Sequence, residues 1–348
     1  MTHVLPACLP RRTEESILMP PPLSLPLLLP LLSPLLSPLV RLAGLLGVLL
    51  LGQPAGASEP DACKLVRMAD PGWTDVTSTN AIAGIVLDAL GYEHKVATLS
   101  VPITYVGMQK NQVDVFLGNW MPAQSALVTP LFKEGKIDRL RVNLAHAKFT
   151  LAVPTYVAAA GVKRFSDLAR FGERFERTIY GIEPGSPANQ NIRRMLAANA
   201  YALGGWTLVE SSEQSMLSQV SRKGRRKGWV VFLAWEPHQM NSNLELTYLD
   251  GDNEYFGPDF GSATVNTVAR RGYAAQCPNL GRLFAQLEFN VGLETRIMRD
   301  ILDGKMAPRA AALRQLHAAP ELLAPWLAGV QTRAGGDGLA AVRLALGY

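Results

Sequence analysis

The sequence is poor in the side chains that most reactions depend on. Only three of its 348 residues are cysteine, Cys8, Cys63 and Cys277. No two of them stand at the spacing of a zinc finger or a redox dithiol. The five histidines are scattered, and none has a second histidine at metal-ligand spacing. His238, behind Glu236 and Pro237, is therefore expected to be structural. There is no nucleophile elbow, no phosphate-binding loop and no dinucleotide fingerprint. Glu183 and Glu236 each stand in a Glu-Pro turn, which orients backbone more simply than it builds a hydrolytic pair. No catalytic residue, metal or cofactor is expected. Charged residues make up 18% of the chain, and the net charge of +5 is dispersed. Its one dense run, Arg222 to Lys227, reads as a solvated turn. Without interleaved aromatics it implies no nucleic-acid partner.

Apolar residues are plentiful instead. At 48% hydrophobic, the chain can bury a large core, and its length suits roughly two domains. Residues 1–57 stand apart from the fold. Prolines recur from Pro20 to Pro38, too densely for a stable helix. Arg41 is followed by an apolar run from Leu42 to Leu51, short of the ~20 residues that span a bilayer. Ala55-Gly-Ala57 then has the small-residue pattern of a signal cleavage site. The expectation is a periplasmic protein, exported and cleaved near Ala57. Cys63 and Cys277 would remain as a pair, and a bridge between them requires such an oxidising compartment.

Beyond residue 57, strand and helix signals alternate. Strands are expected at 64–69, 95–100, 113–119, 139–144 and 149–153, with a helix over 76–90 capped by Asp75 or Thr77. A second block has strands at 178–182, 207–210, 229–234 and 244–249. Helices separate these strands over 165–170, 187–203 and 212–222, with Ser186 as N-cap of the second. A strand at 262–269 returns to the first block, and helices fill 279–331. The fold class is α/β with two lobes and a cleft between them. The first lobe comprises 58–148 and 254–331, the second 149–253, and 332–348 form a loose C-terminal tail.

Three strands in this pattern end on a tryptophan beside a proline: Asp70-Pro-Gly-Trp73-Thr-Asp75, Asn119-Trp120-Met-Pro122 and Ala234-Trp235-Glu-Pro237. Ligands of open α/β sheets bind beyond the carboxyl ends of strands, and interdomain clefts are favoured sites. Several indole faces at one cleft suit a cation that cannot donate hydrogen bonds, above all a quaternary ammonium group. Asp75 offers either a helix cap or a carboxylate for such a ligand.

These stretches, with Tyr180-Gly-Ile-Glu-Pro-Gly185 and Val209-Glu-Ser-Ser-Glu-Gln214, resemble the periplasmic substrate-binding proteins of choline and glycine betaine ABC importers, the choline-binding branch most of all. The resemblance runs from about Cys63 to about Leu316. It implies a type II periplasmic-binding fold that closes on its ligand. By position it implies an aromatic box of Trp73, Trp120, Phe149 and Trp235, with Asp75 at the ligand hydroxyl. Phe149 stands where the choline-binding relatives carry tyrosine. Ser186 stands where they carry asparagine, with Asn189 close by as a further polar contact. It also implies a disulfide between Cys63 and Cys277, an inner-membrane permease as partner and action as a monomer. Choline is the expected ligand, because Asp75 would repel a betaine carboxylate. Glycine betaine or proline betaine is the alternative, and an exported enzyme acting on a quaternary amine is a more distant one.

Overall fold

The computed structural model describes residues 59–348. The expected export segment, 1–57, lies outside them. The described residues form one mixed sheet of nine strands. These are β1 (Leu65–Asp70), β2 (Glu93–Thr98), β3 (Val115–Met121), β4 (Ile137–Pro154), β5 (Thr178–Tyr180), β6 (Thr207–Val209), β7 (Val231–Glu236), β8 (Leu246–Tyr248) and β9 (Ser262–Arg270). Their spatial order is β2-β1-β3-β9-β4-β7-β5-β6, with β8 paired to β4.

The pairing explains the two lobes. At one end β1 runs parallel to β2 and β3, and at the other β5 runs parallel to β6 and β7. Parallel neighbours need helical crossovers that cover both faces, so each end carries its own βα units. The two ends are joined through β9 and β4, which pair antiparallel with each other and with β3 and β7. The expected strands at 139–144 and 149–153 prove to be one continuous strand, β4, with register shifts and His146 at φ 59°. Its first part pairs with β9 and its last part with β7 and β8.

Helix Thr74–Ala89 is buried over most of its length. It lies against β3 and beneath helices Val291–Leu302 and Pro308–Ala318, which explains why its second half, Ala81 to Leu87, has no polar side. Its N-cap position is Trp73, with no side-chain cap, so neither Asp75 nor Thr77 caps it. The helix expected over 165–170 is a pair of 3-10 turns, Phe165–Asp167 and Ala169–Phe175. The one expected over 187–203 ends at Ala197. The C-terminal residues are not loose. Asp337 caps helix Gly338–Leu346 through the Ala340 N–H, and Val342 and Leu346 are buried. Small residues dominate that helix, and its weak pattern hid the buried side.

Cys63 and Cys277 form a disulfide across 214 positions of sequence. It ties the turn before β1 to the start of helix Pro278–Gln286, and both sulfurs belong to the core of the first end of the sheet. A cross-link that closes so long a loop restricts the unfolded chain strongly. Reduction, or Cys277→Ser, is expected to lower unfolding free energy by about 2–4 kcal/mol. Urea denaturation with and without reductant measures this, and coincident curves would contradict it.

Candidate functional site

Four rings meet where the strands end. Trp73 follows β1, and Trp120 and Trp235 are the penultimate residues of β3 and β7. Phe149 pairs directly with Trp235 across β4 and β7, which brings the two side chains to one face. The Trp120 and Phe149 rings stand 6.2 Å apart. Together the four rings wall a cavity of about 380 Å³, its mouth included. Ala123, Ile182, Pro187 and Ala188 complete the apolar lining, and Asp75 and Gln124 are its polar residues.

Gln124 offers little to a ligand because its amide is already committed. Nε2 donates to the Gly118 carbonyl at 2.7 Å, and Oε1 accepts from the Tyr105 hydroxyl at 2.7 Å and from Asn119 Nδ2 at 3.1 Å. This buried network holds the end of β3 in place. Asp75 is therefore the ionisable group of the wall. It sits in the first turn of helix Thr74–Ala89 and accepts a hydrogen bond from Trp120 Nε1 at 2.9 Å. Burial, then the nearby Glu213, push its carboxyl up to about 7, against the opposing Trp120 hydrogen bond. Behind it Glu294 is also buried and is raised well above the usual carboxylate range by burial and by Asp75. The site is thus an apolar box with one acid and no base at its wall, a setting that favours a cation.

Hydrogen bonds cross the cleft beside this box. Glu213, the first residue of helix Glu213–Arg225, accepts from Thr74 N at 3.1 Å and from Thr74 Oγ1 at 2.6 Å. A carboxylate at a helix N-terminus answers both the free N–H groups and the helix dipole. The cap that helix Thr74–Ala89 lacks locally is thus supplied from the opposite lobe. His238 Nδ1 accepts from Met240 N at 2.9 Å, so its proton lies on Nε2, which donates to Glu213 at 3.1 Å. Glu183, beyond β5, accepts from Trp73 Nε1 at 3.0 and 3.1 Å.

A family profile described as the substrate-binding domain of the ABC-type glycine betaine transport system matches residues 64–316. The chain belongs to that family. A solved ABC-transporter choline-binding protein in complex with choline is 47% identical, with a TM-score of 0.82 over 83% of this chain and all of that one. Lactococcal OpuAC, in its closed form with glycine betaine, is 25% identical, with a TM-score of 0.68 over 76% of this chain and 99% of that one. A glycine betaine/carnitine transport binding protein of Listeria monocytogenes is 28% identical over 194 residues, 54% of this chain and 60% of that protein.

Within this binding protein, the structure brings Trp73, Asp75, Trp120, Phe149 and Trp235 together at the cavity and leaves Ser186 and Asn189 outside its lining. Ser186 Oγ caps helix Pro187–Ala197 by accepting from Asn189 N. The Asn189 amide is fully occupied by Ile182 N, Ile182 O, the Glu183 carbonyl and Glu210. It clamps the loop that presents Ile182 and Glu183, and Gly181 makes room for it, since a Cβ there would stand 2.3 Å from Asn189 Oδ1. Tyr105 and His238 are buried in structural hydrogen bonds. Gln124, Glu183 and Glu213 were not singled out as site residues. Nothing in sequence marks Gln124, Glu213 lay within the Val209–Gln214 stretch without a role of its own, and the Glu-Pro-Gly turn at Glu183 was visible but read as backbone geometry alone.

A raised carboxyl makes a definite prediction for the ligand-free protein. Below pH 7 the folded state holds the Asp75 proton, whereas the unfolded chain has released it above the ordinary carboxylate range. The folded state then binds more protons, so this group's contribution to stability declines as pH rises toward 7. An amide in its place cannot ionise, so the unfolding free energy of Asp75→Asn should gain on the wild type between pH 4 and about 7, by at most about 1.4 kcal/mol per pH unit. Above pH 7 the difference should level off. A difference independent of pH in denaturant melts would contradict the assignment.

Proposed function

We propose that this protein captures choline in the aromatic cavity and delivers it to an inner-membrane ABC permease. The observation that carries the reading is the lining: three indoles and a phenyl ring around one carboxylate. Each indole face attracts a quaternary ammonium by roughly 0.5–2 kcal/mol, depending on desolvation. Three indoles with a phenyl ring and buried N-methyl groups are compatible with micromolar affinity, about −8 kcal/mol.

Asp75 decides between choline and a betaine. A betaine brings its own carboxylate, which Asp75 and Glu213 would repel. Choline brings a hydroxyl, which Asp75 can accept. The choline complex of the 47%-identical solved protein supports this reading. The lobes are assigned as 58–148 with 254–331 and as 149–253, so that Trp73, Asp75 and Trp120 belong to one side and Phe149 and Trp235 to the other. The protein works as a monomer in the periplasm after cleavage near Ala57, and it binds without chemistry. Asp75 accepts from the Trp120 indole, Glu183 from the Trp73 indole, and Glu213 from Thr74 and His238.

Isothermal titration with choline and glycine betaine tests the assignment. Choline should bind with micromolar affinity and glycine betaine at least tenfold more weakly, about 1.4 kcal/mol. The reverse order would overturn the choice of ligand. Trp235→Ala should weaken choline by a similar factor or more, and unchanged affinity would remove this ring from the cage.

A further inference from the structure

Trp73 is the cage ring whose indole N–H is held from the far side of the cleft. Its partner, Glu183, sits between β5 and helix Pro187–Ala197. Both carboxylate oxygens face Nε1, at 3.0 and 3.1 Å. The loop that carries Glu183 is well braced. Its carbonyl accepts from Asn189 Nδ2 at 3.1 Å and from Ser186 N at 3.2 Å, and Gly185 turns it with φ 80°.

A single N–H needs only a neutral acceptor, so the charge itself calls for an explanation. Burial raises the Glu183 carboxyl, and the charged neighbour that acts on it is Glu213, another acid. An ion left without a counter-ion in such a place is costly. The cost is offset if a cation occupies the cavity against the face of the same indole, whose N–H edge Glu183 holds. A charge-assisted bond at Nε1 draws electron density toward the ring, and a richer ring face attracts a cation more strongly. Trp120 is treated in the same way by Asp75, from its own side of the cleft. The difference is that the Trp73–Glu183 bond joins residues from opposite ends of the sheet.

We propose that Glu183 is a specificity-determining positioning residue of the cation site, which fixes and polarises the Trp73 ring across the cleft and so completes the anionic field of the cage on closure. The proposal rests on the cavity being the site of a quaternary ammonium ligand. It makes the preference for charge, rather than for shape, depend on an acid that lies outside the cavity lining.

The test compares choline with 3,3-dimethyl-1-butanol, which has the same shape but a carbon in place of nitrogen. For the wild type, choline should bind far more tightly, and failure at this step would sink the quaternary-ammonium reading itself. Given that preference, Glu183→Gln keeps an acceptor for Nε1 but removes the charge. It should weaken choline about tenfold and leave the neutral alcohol nearly unchanged. Equal losses for both ligands would show a merely structural role and overturn the proposal. Trp73→Phe removes the N–H and keeps a ring, and it should also lower the charge preference. In that background Glu183→Gln should have much less further effect on choline, and additive losses would again overturn the proposal. Should Glu183→Gln fold poorly, the choline-to-alcohol ratio of Trp73→Phe decides alone, and an unchanged ratio contradicts the role.

Discussion

The hydrogen bond from Trp120 Nε1 to Asp75 joins the end of β3 to the first turn of helix Thr74–Ala89, and much of the site follows from it. It fixes one indole face toward the cavity. It also leaves a carboxylate buried beside Glu213 and in front of Glu294, with no basic partner acting on it among the described residues. Burying acids together is unfavourable. A protein meets that cost by binding protons or by binding a cation. An ammonium ion with no N–H groups is a good occupant, because indole faces replace its water without needing hydrogen bonds.

The same constraint governs how the lobes meet. Glu213 caps helix Thr74–Ala89 from across the cleft, and Glu183 receives the Trp73 indole. Asn191 Nδ2 adds a bond to the Tyr255 carbonyl at 3.1 Å. The N-terminus of helix Thr74–Ala89 and the Trp73 indole N–H both find their acceptors at the opposite end of the sheet. The contacts across the cleft are thus polar and surround an apolar centre.

Much of this was legible in the sequence. The alternation of strand and helix signals pointed to the two-lobed α/β fold, because parallel strands buried on both faces leave continuous apolar runs such as Val231–Ala234. The strand-ending tryptophans marked the box, since three repetitions of an indole beside a proline at a strand end point to one shared site. What sequence could not show was the destination of side-chain atoms. Ser186 and Asn189 looked like ligand contacts, yet both are engaged by the loop between β5 and the following helix. Glu213 had no role legible in sequence, because its acceptor role depends on Thr74, 139 positions away. The helix Gly338–Leu346 escaped notice because alanine and glycine blur the contrast between its buried and exposed sides.

The central claim is that the four rings hold the ligand's cationic head. A crystal structure of the mature protein grown with choline tests it most directly. The account predicts the ammonium nitrogen inside the cavity, within about 6 Å of the ring centroids of Trp73, Trp120 and Trp235, with Phe149 closing the box and the hydroxyl end toward Asp75. Choline seated elsewhere, or lying in the cavity with its ammonium group away from these rings, would contradict it.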